Sequence, residues 1–380
     1  MRIARGLIHR EGRTLMMNIA TNPRLRMLAR AAVIAAASIV LLAATDMSKH
    51  SVPLGLIRNH GPQSGPDAIA AVQKPNFLAA EAASFLDPGD RVIGIAPDKA
   101  QPRAYPIRIL NWHEIVDDNI GGNPIVVTWC PLTATPFVFK RRVGGKELVF
   151  IESGKVYQSN LLMEDQTTQS LWSQILGTAV VGAMTDARLD RMPCTLTRWS
   201  IWRGYHPDTL VMSERTGFDR DYKSDPYVPY EASENIEYPV ATLDNRLPAK
   251  ERVLGIEAGG VTEAFAESLL ATSKSPMTVQ VGAKKAEIFF DSASATMGAV
   301  IDGKHVPAYE GYWFAWAAFH PGTLVWSKHN RSAQADQTMP AAQAIVRATA
   351  RLDQAEVRIS DAIQRWMIRF SSATGSPALD

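Results

Sequence analysis

Short apolar runs, set apart by Gly, Pro and Asn, dominate the chain from Gly89 onward and predict a body of short strands. Arg91 to Ala96 and Arg103 to Pro106 each predict a strand. A helix is predicted from Ile107 to about Asp118, where Ile109, Leu110, His113 and Val116 share one face and Asn119, Gly121 and Gly122 supply a stop. In Pro124 to Cys130, Ile125, Val127 and Trp129 point one way and Val126, Thr128 and Cys130 the other. Pro131 ends that strand because it cannot donate to a ladder. Phe137 to Lys140 and Glu147 to Ile151 read as arms of a hairpin turned by Gly144-Gly145. Val156-Tyr157 and Asn160 to Met163 read as strands, and Asp165 to Gln169 as a polar turn.

One phrase occurs twice. Trp199, Trp202, His206, Pro207, Thr209, Leu210, Val211 and Ser213 are matched without a gap by Trp313, Trp316, His320, Pro321, Thr323, Leu324, Val325 and Ser327. The Trp spacing predicts a short helix in each, ending at His-Pro and leading into a strand over Thr209 to Met212 or Thr323 to Trp326. Upstream, Arg91-Val92-Ile93-Gly94-Ile95 resembles Arg252-Val253-Leu254-Gly255-Ile256, and Pro124-Ile125-Val126-Val127 loosely resembles Pro276-Met277-Thr278-Val279. The expected fold class is therefore α+β, a β-rich body built from two degenerate copies of one unit with short helices and a C-terminal helix. The first copy is expected over residues 81–250 and a shortened second over 251–330. Segments found only in the first copy are where chemistry would lie.

The ends differ from the body. Arg2, Arg5, Arg10, Arg13, Arg24, Arg26 and Arg30 precede an apolar run, Ala31 to Ala44, broken only by Ser38. A basic flank before such a run predicts a signal peptide or short membrane anchor over residues 1–45. No Arg-Arg pair precedes it, which favours the general secretion route. The protein is thus expected outside the cytoplasm, periplasmic or anchored to the outer face of the inner membrane, with residues 31–45 as the attachment. Residues 46–80 read as a Pro/Gly-rich linker. In the tail, 331–380, the stripe Ile345, Ala348, Leu352, Val357, Ile359, Ile363, Trp366 and Ile368 predicts a helix. A chain of 380 residues, 46% hydrophobic and 21% charged, is globular in composition, and a net charge of +2 gives no sign of a nucleic-acid partner.

Two cysteines, Cys130 and Cys194, leave a disulfide, free thiols or a metal thiolate open. Cys130, at a strand end beside a proline-led turn, is placed to face a pocket, although free cysteine is also among the most buried residue types. His113 lies on an apolar helix face, where a core histidine is the ordinary finding, with Asn111, Glu114 and Asp117 near enough in sequence to orient an imidazole. Met163 would add a thioether. Cys, His and Met together form a donor set that suits copper. Trp129, Asn160 and Trp172 join Asn111 and Glu114 as other candidate pocket residues. His206 and His320 recur in both copies and are expected to be structural. No Gly-x-Gly-x-x-Gly, P-loop, His-Glu-x-x-His, Gly-x-Ser-x-Gly or Cys-x-x-Cys is present.

Several strings carry a family resemblance: Ala104 through Asp118, Trp129-Cys130-Pro131-Leu132-Thr133, Tyr157 through Met163, Ser170-Leu171-Trp172-Ser173-Gln174, and Trp313 through Pro321. They resemble the bacterial and archaeal family catalogued as domain of unknown function 3179. The resemblance implies an exported or membrane-anchored protein and assigns no activity. Members of that family show Cys or Thr at the position of Thr133, so the Thr here removes a two-cysteine redox motif from this loop. Three functions are expected in turn: metal binding, copper first, through Cys130, His113 and Met163; thiol-dependent enzyme or redox chemistry at Cys130 with His113 as base; and a non-catalytic envelope scaffold for partner contacts.

Overall fold

A computed structural model describes residues 45–61 and 69–328. The chain divides after Asp46 into two compact units, and the fold is that of the second. The predicted signal or anchor segment up to Ala44 and the predicted C-terminal helix lie outside the described residues. Among the described residues no helix is long and apolar enough to cross a membrane.

Five small sheets of four or five strands are arranged as the blades of a five-bladed β-propeller. Blade 1 runs Ile57–Asn59, Phe150–Tyr157, Asn160–Asp165, Leu171–Ser173, Thr178–Val181. Blade 2 runs Asp190–Met192, Thr135–Lys140, Asn123–Cys130, Ile115–Ile120. Blade 3 runs Thr195–Arg198, Arg91–Ile95, Arg103–Pro106, Leu210–Met212, Phe77–Ala79. Blade 4 runs Tyr309–Tyr312, Arg252–Ala258, Val261–Ala266, Leu324–Val325. Blade 5 runs Met277–Val281, Lys284–Asp291, Thr296–Ile301, Lys304–His305.

This overturns the expected two-copy α+β body. The repeated phrase maps onto blades 3 and 4, whose first four strands share one order: antiparallel, antiparallel, then a parallel fourth strand, Leu210 opposite Arg103 and Leu324 opposite Glu263, with Phe77–Ala79 added antiparallel beyond it in blade 3 alone. What repeats is therefore a blade-sized corner, and the other three blades do not carry it. The corner has a physical basis. In each copy the helix, Trp199–Tyr205 or Trp313–Phe319, ends at a His whose ring lies against the indole, with centroids 4.1 Å apart for Trp202–His206 and 3.7 Å for Trp316–His320. The indole N–H donates to the Thr that opens the returning strand, Thr209 at 3.0 Å and Thr323 at 2.8 Å. Both indoles are buried against a glycine of the neighbouring strand, Gly94 and Gly255.

The hairpins follow local turn chemistry. Ile115–Ile120 and Asn123–Cys130 are joined by Gly121-Gly122 with φ of +58° and +83°, a two-residue turn whose hand matches strand twist. The predicted helix over 107–118 is thus half a helix: it stops at His113, and residues 115–120 form a strand. Glu114, at φ +54°, breaks it, and the glycines read as a helix stop close the hairpin instead. Gly144-Gly145 turns a small hairpin of Arg142–Val143 with Lys146–Glu147, while Phe150–Tyr157 pairs elsewhere, with Asn160–Asp165 and Ile57–Asn59. Residues 57–59 and 77–79, read as linker, add edge strands to blades 1 and 3. One large apolar cluster joins blades 1, 2 and 3 to the Trp313–Phe319 helix, and a smaller one around Phe265, Leu254 and Ile288 joins blades 4 and 5.

Candidate functional site

The helix Ile107–His113 buries Ile107, Ile109, Leu110, Asn111 and His113. The His113 ring has both nitrogens occupied. Nδ1 lies 2.6 Å from the Ala70 carbonyl oxygen, which can only accept, so Nδ1 carries the hydrogen. Nε2 then accepts from the Tyr222 hydroxyl at 2.7 Å, and Thr216 Oγ1 lies 2.5 Å from that hydroxyl. Burial holds the imidazole neutral, with its pKa lowered to about 4. A ring bonded at both nitrogens has no lone pair left for a metal.

Cys130 ends its strand as predicted, but its side chain is buried. Burial, with Glu114 adding to it, raises the thiol to about 12 against the smaller opposing effect of hydrogen bonds to Thr133 and Leu161. Both cysteines are free. Met163 is buried between Glu152 and Trp172 on the flanking strands. Cys130 and Met163 share one apolar cluster with Trp129 and Trp172. Among the described residues no group of three or more His, Cys, Asp or Glu side chains is arranged to hold a metal ion. Nucleophilic thiol chemistry needs the thiolate, and a thiol titrating near 12 is ionised in only about one molecule in 10⁵ at neutral pH. Alkylation of Cys130 by iodoacetamide in the folded protein is therefore expected to run at least ~10³-fold slower than in denaturant. Peptide mapping by mass spectrometry checks this, and a rate within about tenfold of the denatured one would restore the thiol reading.

Other predicted pocket residues have structural partners. Trp129 Nε1 donates to Asn111 Oδ1 at 2.7 Å, and Asn111 Nδ2 donates to Asp225 at 2.8 Å. Trp172 Nε1 donates to Asp165 at 2.9 Å, and its ring meets Phe150 edge-on. Asn160 belongs to a buried amide and hydroxyl network with Thr133, Thr135, Gln174 and Thr128.

Glu114 is different. Its left-handed backbone ends the helix and leaves the carboxyl 1% exposed, in a cluster drawn from four separate stretches of chain. The segment 213–251, which connects blades 3 and 4, reaches Asn111, His113 and Glu114 through Asp225, Tyr222 and Tyr227. Tyr227 donates its hydroxyl to Glu114 Oε1 at 3.0 Å, and His60 Nε2 lies 3.9 Å from the same oxygen. Burial pushes the Glu114 carboxyl well above the usual range, and the neighbouring Glu152 carboxyl pushes it further. Glu152 sits at a bulge in blade 1, where the Gly154 N–H donates to its Oε2. Its Oε1 is buried with no hydrogen-bond partner, and burial raises its pKa to about 7. The backbone N–H of His60 donates to the Gly154 carbonyl at 2.8 Å, which ties the His60 segment to the bulge that holds Glu152. His60 Nδ1 bonds Tyr238 at 3.2 Å, and its Nε2 has no hydrogen-bond partner. Burial lowers the His60 pKa.

The arrangement is two neighbouring carboxyls that are protonated or half protonated near neutral pH, bordered by tyrosine hydroxyls and an unpartnered imidazole nitrogen. It can take up and release a proton, and it presents acceptors that nothing fills. Sequence reasoning included Glu114 as a helper to His113 and as a candidate pocket residue, and it missed Glu152, Tyr227 and His60. Each is a common residue in a different segment, and no spacing links them.

The model of a family described as "Protein of unknown function (DUF3179)" matches residues 66–323. No curated protein and no solved structure matches the chain.

Proposed function

The chain belongs to the DUF3179 family, and we propose that it is a binding protein whose propeller holds a small hydrogen-bond-donating ligand at the Glu114–Glu152 carboxyl pair. The basic flank and apolar run of the first 45 residues support the further reading that it works outside the cytoplasm. One observation carries the site: Glu152 Oε1 and His60 Nε2 are both buried without a hydrogen-bond partner, with His60 Nε2 3.9 Å from Glu114 Oε1 and Glu152 close enough for its charge to raise the Glu114 carboxyl. An unfilled buried acceptor costs about 1–3 kcal/mol, and native interiors hold few of them. Asp117 differs in one respect: each carboxyl accepts one backbone N–H and leaves one buried oxygen without a hydrogen bond, but the Asp117 oxygen has the Arg141 guanidinium 3.7 Å away. Glu152 has no ion pair among the described residues, although Lys155 lies near enough to oppose the rise. The copper and thiol readings gain no second observation, since His113 has both nitrogens bonded and Cys130 stays a neutral thiol.

A carboxyl kept for a ligand is expected to weaken the empty fold. The folded-state pKa of Glu152 stands above its unfolded value, so the folded protein binds this proton more tightly and loses stability as pH rises from ~4.5 through about 7. The difference amounts to about 3 kcal/mol at mildly alkaline pH. Glu152→Gln, which does not titrate, is expected to be more stable than the wild type near pH 8, with the gap closing near pH 5. Urea unfolding at the two pH values measures this. A variant less stable than wild type near pH 8 would make Glu152 a structural residue and end the reading.

A further inference from the structure

Resting on that reading of the site, we propose that the ligand is a small protonated amine, held by Glu114, Glu152 and His60 beside the Tyr227 ring and exchanged for a proton on binding. The donor and acceptor inventory points this way. Glu152 Oε1 is unfilled, and Tyr227 occupies only Oε1 of Glu114. The Tyr238 hydroxyl at Nδ1 can accept or donate, and in the tautomer whose Nδ1 hydrogen points at it, Nε2 is also an acceptor. No Arg or Lys side chain forms an ion pair with Glu114 or Glu152 among the described residues. A primary ammonium supplies three N–H donors and no acceptor, which matches such a set, whereas an amide or polyol brings acceptors that would meet oxygens again.

Charge and aromatic character agree. Losing their protons would leave two neighbouring buried carboxylates, which only a cation compensates. Tyrosine faces attract ammonium groups. The same segment already seats one: the Lys250 ammonium lies 3.4 Å from the Tyr230 ring centroid, with Tyr312 at 5.9 Å, and donates to the Ser233 carbonyl at 2.8 Å. Tyr230 is three residues beyond Tyr227, in the helix Val228–Ala232. An amine at Glu114 and Glu152 would repeat with an external ammonium what Lys250 does within the chain.

The exchange is balanced. The ammonium enters carrying its own protons, a carboxyl of the pair gives one up, and that proton passes to the buffer. The other charged and titratable groups facing the pair are Lys155 on the same strand, Glu164 on the next, Cys130 on blade 2, Tyr227 on the connecting segment and His60, which is itself faced by Glu237 and Tyr238.

The test is calorimetric titration of the full chain near pH 7 with methylammonium, butylammonium and 1,4-diammoniobutane, and with acetamide and glycerol as neutral donors, each in phosphate and in HEPES, neither of which is a primary amine. An amine is expected to bind with an enthalpy that differs between the buffers by the release of at least about half a proton, since a group titrating near 7 is protonated in half the molecules. Its affinity is expected to rise with pH between about 6 and 8, and Glu152→Gln is expected to weaken it at least tenfold. Equal enthalpies in the two buffers would overturn the proton exchange on the wild-type protein, whatever the variant does. Glu152-dependent binding of acetamide or glycerol, with none of the amines, would overturn the ligand class and leave the carboxyl site standing. Binding of no probe, together with Glu152→Gln less stable than wild type near pH 8, would remove both.

Discussion

Replacing Gly255 with Ala is expected to destabilise the protein by about 3–5 kcal/mol, and Gly94→Ala by a similar amount. A Cβ at Gly255 would lie 2.5 Å from Trp316 Cε3 and 2.6 Å from two further ring atoms, and at Gly94 2.3 Å from two atoms of the Trp202 ring. Carbon atoms do not approach so closely, so the indole must move. Trp316 has nowhere to go: its N–H is held by Thr323, its face lies against His320, and it is 1% exposed. The cost should therefore approach that of losing the Trp from the core rather than that of one added methyl. Urea unfolding followed by tryptophan fluorescence measures it. The sharper check is Trp316→Ala with and without Gly255→Ala. Once the ring is gone the added methyl has room, and the double variant is expected to be no less stable than Trp316→Ala alone. A Gly255→Ala protein within about 1 kcal/mol of wild type would show that the corner yields, and that close packing is not what makes the phrase repeat.

That corner also explains what the sequence made legible. Trp, His and Thr recur at fixed spacing because one indole must meet one imidazole and one hydroxyl, and the glycine beneath recurs because the indole lies on its strand. Strands such as Arg103–Pro106 and Phe150–Tyr157 were visible, in whole or in part, from their apolar runs. The propeller was not visible, because its blades are assembled from distant pieces. Blade 1 borrows residues 57–59, blade 2 borrows 190–192, and blade 3 collects residues from 77 to 212, so no period runs along the chain. The helix over 107–118 was overextended because the apolar spacing continues past His113, and nothing local announces that Glu114 adopts a left-handed backbone. Cys130 and His113 stand out in the sequence because their residue types are rare and chemically versatile. Folding uses both up: one nitrogen of His113 on Ala70 and the other on Tyr222, the Cys130 thiol on Thr133 and Leu161. Two of the buried atoms left unfilled, Glu152 Oε1 and His60 Nε2, belong to ordinary residues that the fold alone brings to Glu114.

Gln174→Leu is expected to cost about 3 kcal/mol, equally at every pH between about 5 and 8. All four hydrogen-bonding positions of the Gln174 amide are in use. Its Oε1 accepts from Asn160 Nδ2 and from Thr135 Oγ1, each at 2.7 Å, and its Nε2 donates to Thr128 Oγ1 and to the Thr135 carbonyl, each at 3.0 Å. Leu fills much the same volume with no polar atom and takes a donor from the buried Thr135 carbonyl, which keeps only its place opposite Cys130 in the ladder, and an acceptor from Asn160 Nδ2. The Thr135 hydroxyl can turn to Thr133, 2.8 Å away, and Thr128 keeps its bond to the Phe137 carbonyl at 2.9 Å, so the loss stays below the sum of four bonds. The network joins blades 1 and 2, and the Thr133 carbonyl extends it to blade 4 by accepting from the Tyr312 N–H at 2.8 Å. This gives Thr133 a structural task that a hydroxyl performs, its Oγ1 meeting Thr135 at 2.8 Å and Asn160 Nδ2 at 3.0 Å. Asn160→Ala should show coupling of about 1 kcal/mol or more with Gln174→Leu in a double-mutant cycle, because the two amides share a bond. No member of the network titrates, so its loss carries no pH dependence, whereas the effect of Glu152→Gln should change with pH. A Gln174→Leu protein within about 0.5 kcal/mol of wild type, or one whose loss varied across that pH range, would place Asn160 and Gln174 with the carboxyl site instead of with the frame that holds it.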